Sequence, residues 1–452
     1  MNKFITTLKN IWSIEDLRKR ILYTLALLLV YRVGTFLVLP GVMADALKKA
    51  ADSRSPNDIL GLINMFSGGS FSQGSIFALG VMPYITASII VQLLGFAVPY
   101  FQRLQQREGE SGRKTINRIT RFLTVFIVLV QGGAYLTYLT SQGAMSPNIA
   151  SGIFYFCNIL LLASGTIFAM WLGERITDRG VGNGISFIIM AGIIDQLPTS
   201  IIAESSKGNP FMFILELAIW FAIVAATIVI TQGVRRIPIH FAKRMVGRNS
   251  DSAGETGNRD YMPLKLNASG VMPIIFAQAI MFLPATIIQA VGGAETAQSP
   301  IVKALQDFTS VPYNIIYFVL VIVFTYVYTA LIVNPQQYAE YLKRSNAFIP
   351  GIKPGTSTAE YIDTLTTRIT LPGSVFLAII AILPAFASMI GIESGFTRFF
   401  GGTSLLIMVG VILDTLQQID SHLIMRKYDG LSSSGRIKGR DTGIGISIGS
   451  NM

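Results

Sequence analysis

The chain has 452 residues, 36 Lys and Arg against 25 Asp and Glu, and a net charge of +11, with 51% hydrophobic and only 13% charged residues. A soluble chain carries about 25% charged residues, so a water-soluble globular protein and a disordered one are both excluded and a polytopic membrane protein is left. One cysteine (Cys157) and two histidines (His240 and His422) exclude a disulfide framework and a Cys/His metal site, and no cofactor is expected.

Ten apolar stretches can each cross about 30 Å of hydrocarbon as a helix. In chain order they are 21–39, 76–98, 122–139, 153–173, 185–202, 211–232, 271–291, 313–334, 371–391 and 403–419. None alternates as the strands of a membrane barrel do. Basic residues at 18–20 precede the first stretch, as in a signal peptide. The apolar run is too long for one, and Leu39-Pro40-Gly41 is not a cleavage site, so the stretch is expected to be retained. Of the Lys and Arg residues, 29 fall on the side of both termini, six on the other, and one, Arg32, inside a span. The excess puts both termini and every long basic loop in the cytoplasm.

Between spans one and two, 57–66 (NDILGLINMF) reads as a short apolar helix capped by Asn57 or Asp58 and stopped at 67–70 (SGGS). It is too short to span, so it is interfacial or re-entrant, and a re-entrant segment needs a shielding cavity. Two cytoplasmic loops, 233–270 and 335–370, exceed what connection requires. In the first, 235–244 alternates apolar and basic residues as a docking hairpin does, and 249–260 (NSDSAGETGNRD) reads as its flexible tip.

Five spans per half make the halves inverted if they are related. One trace supports this: Gly80-Val81-Met82-Pro83 in span two recurs as Gly270-Val271-Met272-Pro273 in span seven. Four charges lie within spans: Arg32, Asp195, Glu216 and Asp414. Arg32 is read either as a functional cation or, more plainly, as packing on backbone carbonyls or a neighbouring helix, and Asp195 and Glu216 as reaching interfacial water. No midplane carboxylate cluster forms, which counts against an ion-coupled carrier. Enzyme motifs are poor. Residues 109–115 have the wrong spacing for a phosphate loop, 180–184 is not a dinucleotide fingerprint, and the G-x-S-x-G at 445–449 lacks a strand–turn–helix context. The chain is not read as an enzyme.

Several motifs, in order along nearly the whole chain, resemble the SecY/Sec61α family of protein-translocase channels. They are Asn64–Gly69, Ser75–Ile85, Glu108–Arg113, Trp171–Glu174 with Gly182–Ser186, Pro263–Lys265, Pro350–Gly355 and Gly401–Leu406. The resemblance implies an all-α polytopic membrane protein: ten transmembrane helices in two inverted five-helix halves around a central hourglass pore, with a short plug helix. The segments are then a cytoplasmic N-terminus (1–20), an N-terminal half (21–202) with the plug at about 57–70, a linker and span six (203–232), the loop 233–270, spans seven and eight (271–334), the loop 335–370, spans nine and ten (371–423), and a tail (424–452).

The implied function is passive conduction of unfolded preproteins across the bacterial cytoplasmic membrane and lateral release of membrane segments. The implied partners are SecE and SecG subunits, the SecA motor, the ribosome, signal-bearing preproteins, membrane lipid, and accessory factors of the SecDF and YidC kind. By the resemblance, Val81, Ile85, Ile189, Ile275 and Ile407 form an aliphatic pore ring; a narrow apolar ring dewets and blocks ions while offering no sticky polar site. The plug carries Ile59, Leu62, Ile63, Met65 and Phe66, with Gly68, Gly69 and Gly74 as hinges. A lateral gate between spans two and seven uses Ser88, Gln92, Gln278, Phe282 and Thr286. Docking falls to Arg235, Arg236, Lys243, Arg244, Lys353 and Arg368. Lys353 stands where the family usually has arginine, so charge is kept and the planar fork is lost. The competing class is an inverted-repeat transporter for a small solute, which needs broken helices around a midplane polar site; the aliphatic ring favours a channel.

Overall fold

A helix covers most of each of the ten apolar stretches in the computed structural model, which describes residues 12, 14–43, 47, 59–106, 109–147, 149–206, 210–241, 259–291, 307–392 and 394–434. In chain order the elements are α1 (Glu15–Gly34), α2 (Ile59–Phe66), α3 (Ser70–Gln73), α4 (Met82–Ala97), α5 (Pro99–Gln106), α6 (Gly109–Ser141), α7 (Ser151–Arg179), α8 (Gly184–Ser205), α9 (Pro210–Thr231), β1 (Val234–Phe241), β2 (Arg259–Lys265), α10 (Met272–Val291), α11 (Val311–Ile332), α12 (Pro335–Arg344), β3 (Ala347–Phe348), α13 (Thr356–Met389), α14 (Ser394–Thr397) and α15 (Gly402–Ser434). Spans one to ten are α1, α4, α6, α7, α8, α9, α10, α11, α13 and α15. Among the described residues seven of these, α6 to α9, α11, α13 and α15, are long and apolar enough on their own to cross a membrane.

The second span is shorter than its apolar run. Residues 76–81 form turns and the helix starts at Met82. Gly80 has a φ of 52°, outside the helical region, and Pro83 has no N–H for an upstream carbonyl and sits in the first helical turn. The seventh span repeats the device. Gly270 has a φ of 64°, and α10 starts at Met272, followed by Pro273. The four-residue repeat thus marks the same local structure in both halves.

The helices α6 and α13 have 33 and 34 residues. At 1.5 Å per residue each is about 50 Å long, well beyond the hydrocarbon. Much of what the sequence presents as loop, 109–121 and 356–370, is therefore helix.

The two long loops also do not stand apart. They meet in one antiparallel sheet of order β2-β1-β3. The hairpin expected around 235–244 forms, with Arg235 opposite Leu264 and His240 opposite Arg259. The second loop joins it through His240 opposite Phe348 and Phe241 opposite Ala347. Pro238 is tolerated in the central strand because β3 pairs only beyond it. Ile237, Ile239, Leu264, Leu342, Ile362 and Leu365 close a common apolar core beneath the sheet.

The main core runs across both halves, from Tyr31 and Phe66 through Ile189 to Phe324 and Leu406. A second core, around Tyr135, Leu139 and Phe154, belongs to the first half. On α9, Phe211, Ile214, Phe221 and Val229 are exposed. In hydrocarbon such a face needs no protein cover, since lipid tails are as apolar as the side chains.

Candidate functional site

Ile85 lies in the first turn of α4 and Ile275 in the first turn of α10, each five residues after its motif glycine. Ile189 comes from α8 and Ile407 from α15. These four converge with Phe66, Met82, Gln278 and Thr403 on one small cavity with an apolar accessible wall. Val81 is buried in the same core but does not line this wall; Met82 does. Val81 is the cap residue before α4, with φ −96° and ψ 1°, and its carbonyl accepts from Ile85 N–H at 3.1 Å. Met82 and Thr403 were not among the expected wall residues. Their signal was spacing: Met82 precedes Ile85 by three and Thr403 precedes Ile407 by four, which puts each pair on one helix face.

The neck borders two further spaces. Ile275 and Ile407 also line a partly polar cavity of about 280 Å³ with Lys265, Asn267, Ser269 and Asp414. Gln278 and Thr403 also line a small cleft of about 30 Å³ with Tyr313, Asn314 and Arg398. A partly polar cavity and a small cleft thus meet at an apolar neck.

Phe66 enters the neck as the last residue of α2. Met65 is fully buried beside it, and Ile63 packs against both main cores. The expected cap at Asn57 or Asp58 and the side chains of Ile59 and Leu62 lie outside the described residues. The helix stops as expected, at a run of left-handed glycines: Gly68, Gly69 and Gly74 have φ of 64°, 84° and 66°. The Asn64 carbonyl accepts from Gly69 N–H at 2.8 Å, and the Asn64 side chain accepts from Ser72 N–H at 2.9 Å. Helix α2 packs on α8. A side chain at Gly61 would collide with the Arg398 guanidinium, so the helix is seated against the segment before span ten as well.

Asp195 does not reach for water alone. It pairs with Arg32 at 2.5 Å, and Arg32 also donates to the Gly68 carbonyl at 3.0 Å. The packing read for Arg32, on a carbonyl and a neighbouring helix, is what the structure has.

Helix α10 lies against both α4 and α6. The described seam residues do not bond across it. Gln92 donates to Ser88 at 3.1 Å within α4, and Gln278 donates to Tyr313 of α11 at 3.3 Å. Among the described residues no hydrogen bond joins α4 to α10. The side chains of Phe282 and Thr286 lie outside the described residues.

Of the docking residues, Arg235 and Arg236 are exposed on β1, Lys353 on the turn after β3, and Arg368 on α13. They share the sheet body that joins the two loops. Lys243, Arg244, most of the 249–260 tip and the 443–452 tail lie outside the described residues. Among those described, no cluster of His, Cys, Asp or Glu is arranged to hold a metal.

A SecY family model matches residues 75–416. Protein translocase subunit SecY of Streptomyces scabiei is 39% identical over 440 residues, covering 94% of this chain and 99% of the relative. The Chlamydia trachomatis subunit of the same name is 37% identical over 461 residues, covering 96% and 100%. Among solved structures, a protein-conducting channel superposes with a TM-score of 0.63 at 17% identity, covering 93% of this chain and 95% of the other. Sec61 from the canine ribosome-channel complex of the endoplasmic reticulum gives 0.57 at 17% identity, with the same coverage.

Proposed function

This chain belongs to the SecY family, and from that premise we infer that it is the channel subunit of a protein translocase, moving unfolded preproteins through its centre and releasing apolar segments sideways into lipid. One observation carries the pore reading: the apolar neck beside a partly polar cavity, with Phe66 in its wall. Ions do not enter a dewetted apolar neck, whereas a chain that dilates it finds no polar group to hold it. In this reading Ile85, Ile189, Ile275 and Ile407, with Met82 and Thr403, are the seal, Val81 supports it from the core, and α2 is the plug. Its left-handed glycines are the joints on which it turns.

The membrane is the bacterial cytoplasmic membrane, and both termini are cytoplasmic. The basic bias of the loops supports that orientation. SecE and SecG complete the channel, and SecA or the ribosome drives it. A ribosome-bound channel among the structural relatives supports the ribosome as a partner. Purification in mild detergent is expected to bring down small subunits of one to three spans; a clean homo-oligomer would count against a translocase.

The docking surface is the joined sheet body. Replacing Arg235, Arg236 and Lys353 together by Glu is expected to weaken motor or ribosome binding by about ten-fold or more at low ionic strength, with the difference shrinking as salt screens it. The measurement is binding by vesicles of the full complex across a salt series. Parental affinity at every salt would remove this surface from the reading.

A further inference from the structure

Positions 189, 192, 195 and 196 share one face of α8, being three or four residues apart. All four serve α2 and the chain that leaves it. Ile189 lines the neck with Phe66. Gly192 leaves no side chain, so the two backbones approach; a Cβ there would stand 2.9 Å from the Gly68 nitrogen and 3.0 Å from the Phe66 carbonyl oxygen. Gln196 donates to the Asn64 carbonyl at 3.2 Å. Asp195 holds Arg32 of α1 at 2.5 Å, and the same guanidinium donates to Gly68 at 3.0 Å.

We propose that Arg32 and Asp195 form a clamp that holds α2 in the closed position and sets how readily it leaves. The inference rests on the reading of α2 as the plug. A guanidinium is suited to it. Its planar fork serves two acceptors at once, a carboxylate from one helix and a backbone carbonyl from another segment. The carbonyl is that of Gly68, the first left-handed glycine after α2, so the grip falls at the joint and not on the apolar body of the helix. Charge inside a span is costly and its partner fixes its position, so Asp195 aims Arg32. The two are positioning residues: neither lines the neck, and their action is through α2. The closed state therefore combines an apolar seat, which resists ions, with a charged hold, which breaks in one event when the Gly68 carbonyl turns away.

The test uses the full translocase complex in vesicles, with Cys157→Ser as background and a single cysteine at Met65, which is fully buried. Labelling by a membrane-impermeant maleimide then reports departure of α2. A second reporter at Leu162, also fully buried but in the core of α6 and α7, reports general loosening. Arg32→Gln is expected to raise labelling at 65 by about ten-fold, the usual scale for loss of a charge-assisted bond. Asp195→Asn is expected to raise it by a smaller factor, and Arg32→Lys, which keeps the charge without the fork, to fall between Arg32→Gln and the parent. Labelling at 162 stays at the parental rate. Equal protection at 65 in all variants would overturn the clamp, as would a parallel rise at both reporters. Ion leak is recorded in the same vesicles. Raised labelling at 65 without leak keeps the clamp and removes the sealing role from α2, so the two readings fail separately.

Discussion

Glutamate in place of Ile85 or Ile275 is expected to make the resting channel leak. Both side chains line the apolar neck, and each stands in the first turn of its helix, where the backbone cannot withdraw it. A dry neck excludes ions because an ion there loses its hydration and gains nothing. A carboxylate demands water, since leaving it dry costs several kcal/mol. Water that follows it supplies the missing path. Ion flux through reconstituted vesicles without substrate should rise at least about ten-fold, corresponding to about 1.4 kcal/mol off the barrier. Ile→Val at the same sites keeps the wall apolar and should stay near the parental flux. Parental flux for both glutamate variants would remove these residues from the conduction path.

A covalent bridge across the α4–α10 seam is expected to stop secretion. A signal sequence is an apolar helix that must reach lipid while the polar chain behind it stays in water. A closed ring of helices gives it no exit. In the channel reading the seam parts at little cost: Ser88 with Gln92, and Gln278 with Tyr313, are satisfied on their own sides, so separation breaks none of these hydrogen bonds. Between the described residues of α4 and α10 there is packing and no hydrogen bond, and packing in lipid gains no hydrophobic drive from closing. A bound signal helix then needs only a few kcal/mol of preference for the open state. With Cys157 replaced, Gln92→Cys is paired in turn with Gln278→Cys and Phe282→Cys. The pair that crosslinks under oxidation should drop precursor export to background, and reduction should restore it. Normal export through a fully crosslinked seam would sink lateral opening for this protein.

The spans were legible because hydrocarbon allows one backbone solution, and apolar length reads it directly. The missed boundary at 76–81 was equally apolar; only Gly80 and Pro83, whose effects are conformational and not hydropathic, mark it. The sheet body was half legible. Apolar and basic alternation along 235–244 pointed to the hairpin, but β3 is two residues long and carries no pattern of its own. Its pairing with β1 is a contact made by the fold. At the candidate site the ring positions came with the family resemblance, and spacing alone would have added Met82 and Thr403. The Arg32–Asp195 pair was not legible as a pair. The two residues are 163 positions apart, and each taken singly had an ordinary explanation.

Starting α4 at Met82 and α10 at Met272 has an electrostatic consequence. The two helices run in opposite directions through the membrane, yet each begins at the neck, because their first turns carry Ile85 and Ile275. A helix start bears the positive end of its peptide dipoles, equivalent to about half an elementary charge. Two such ends face one narrow, low-dielectric place where screening is weak. In the channel reading, a cation that reached the dry wall would therefore also meet the positive ends of two helices, a backbone contribution that side-chain substitution leaves in place.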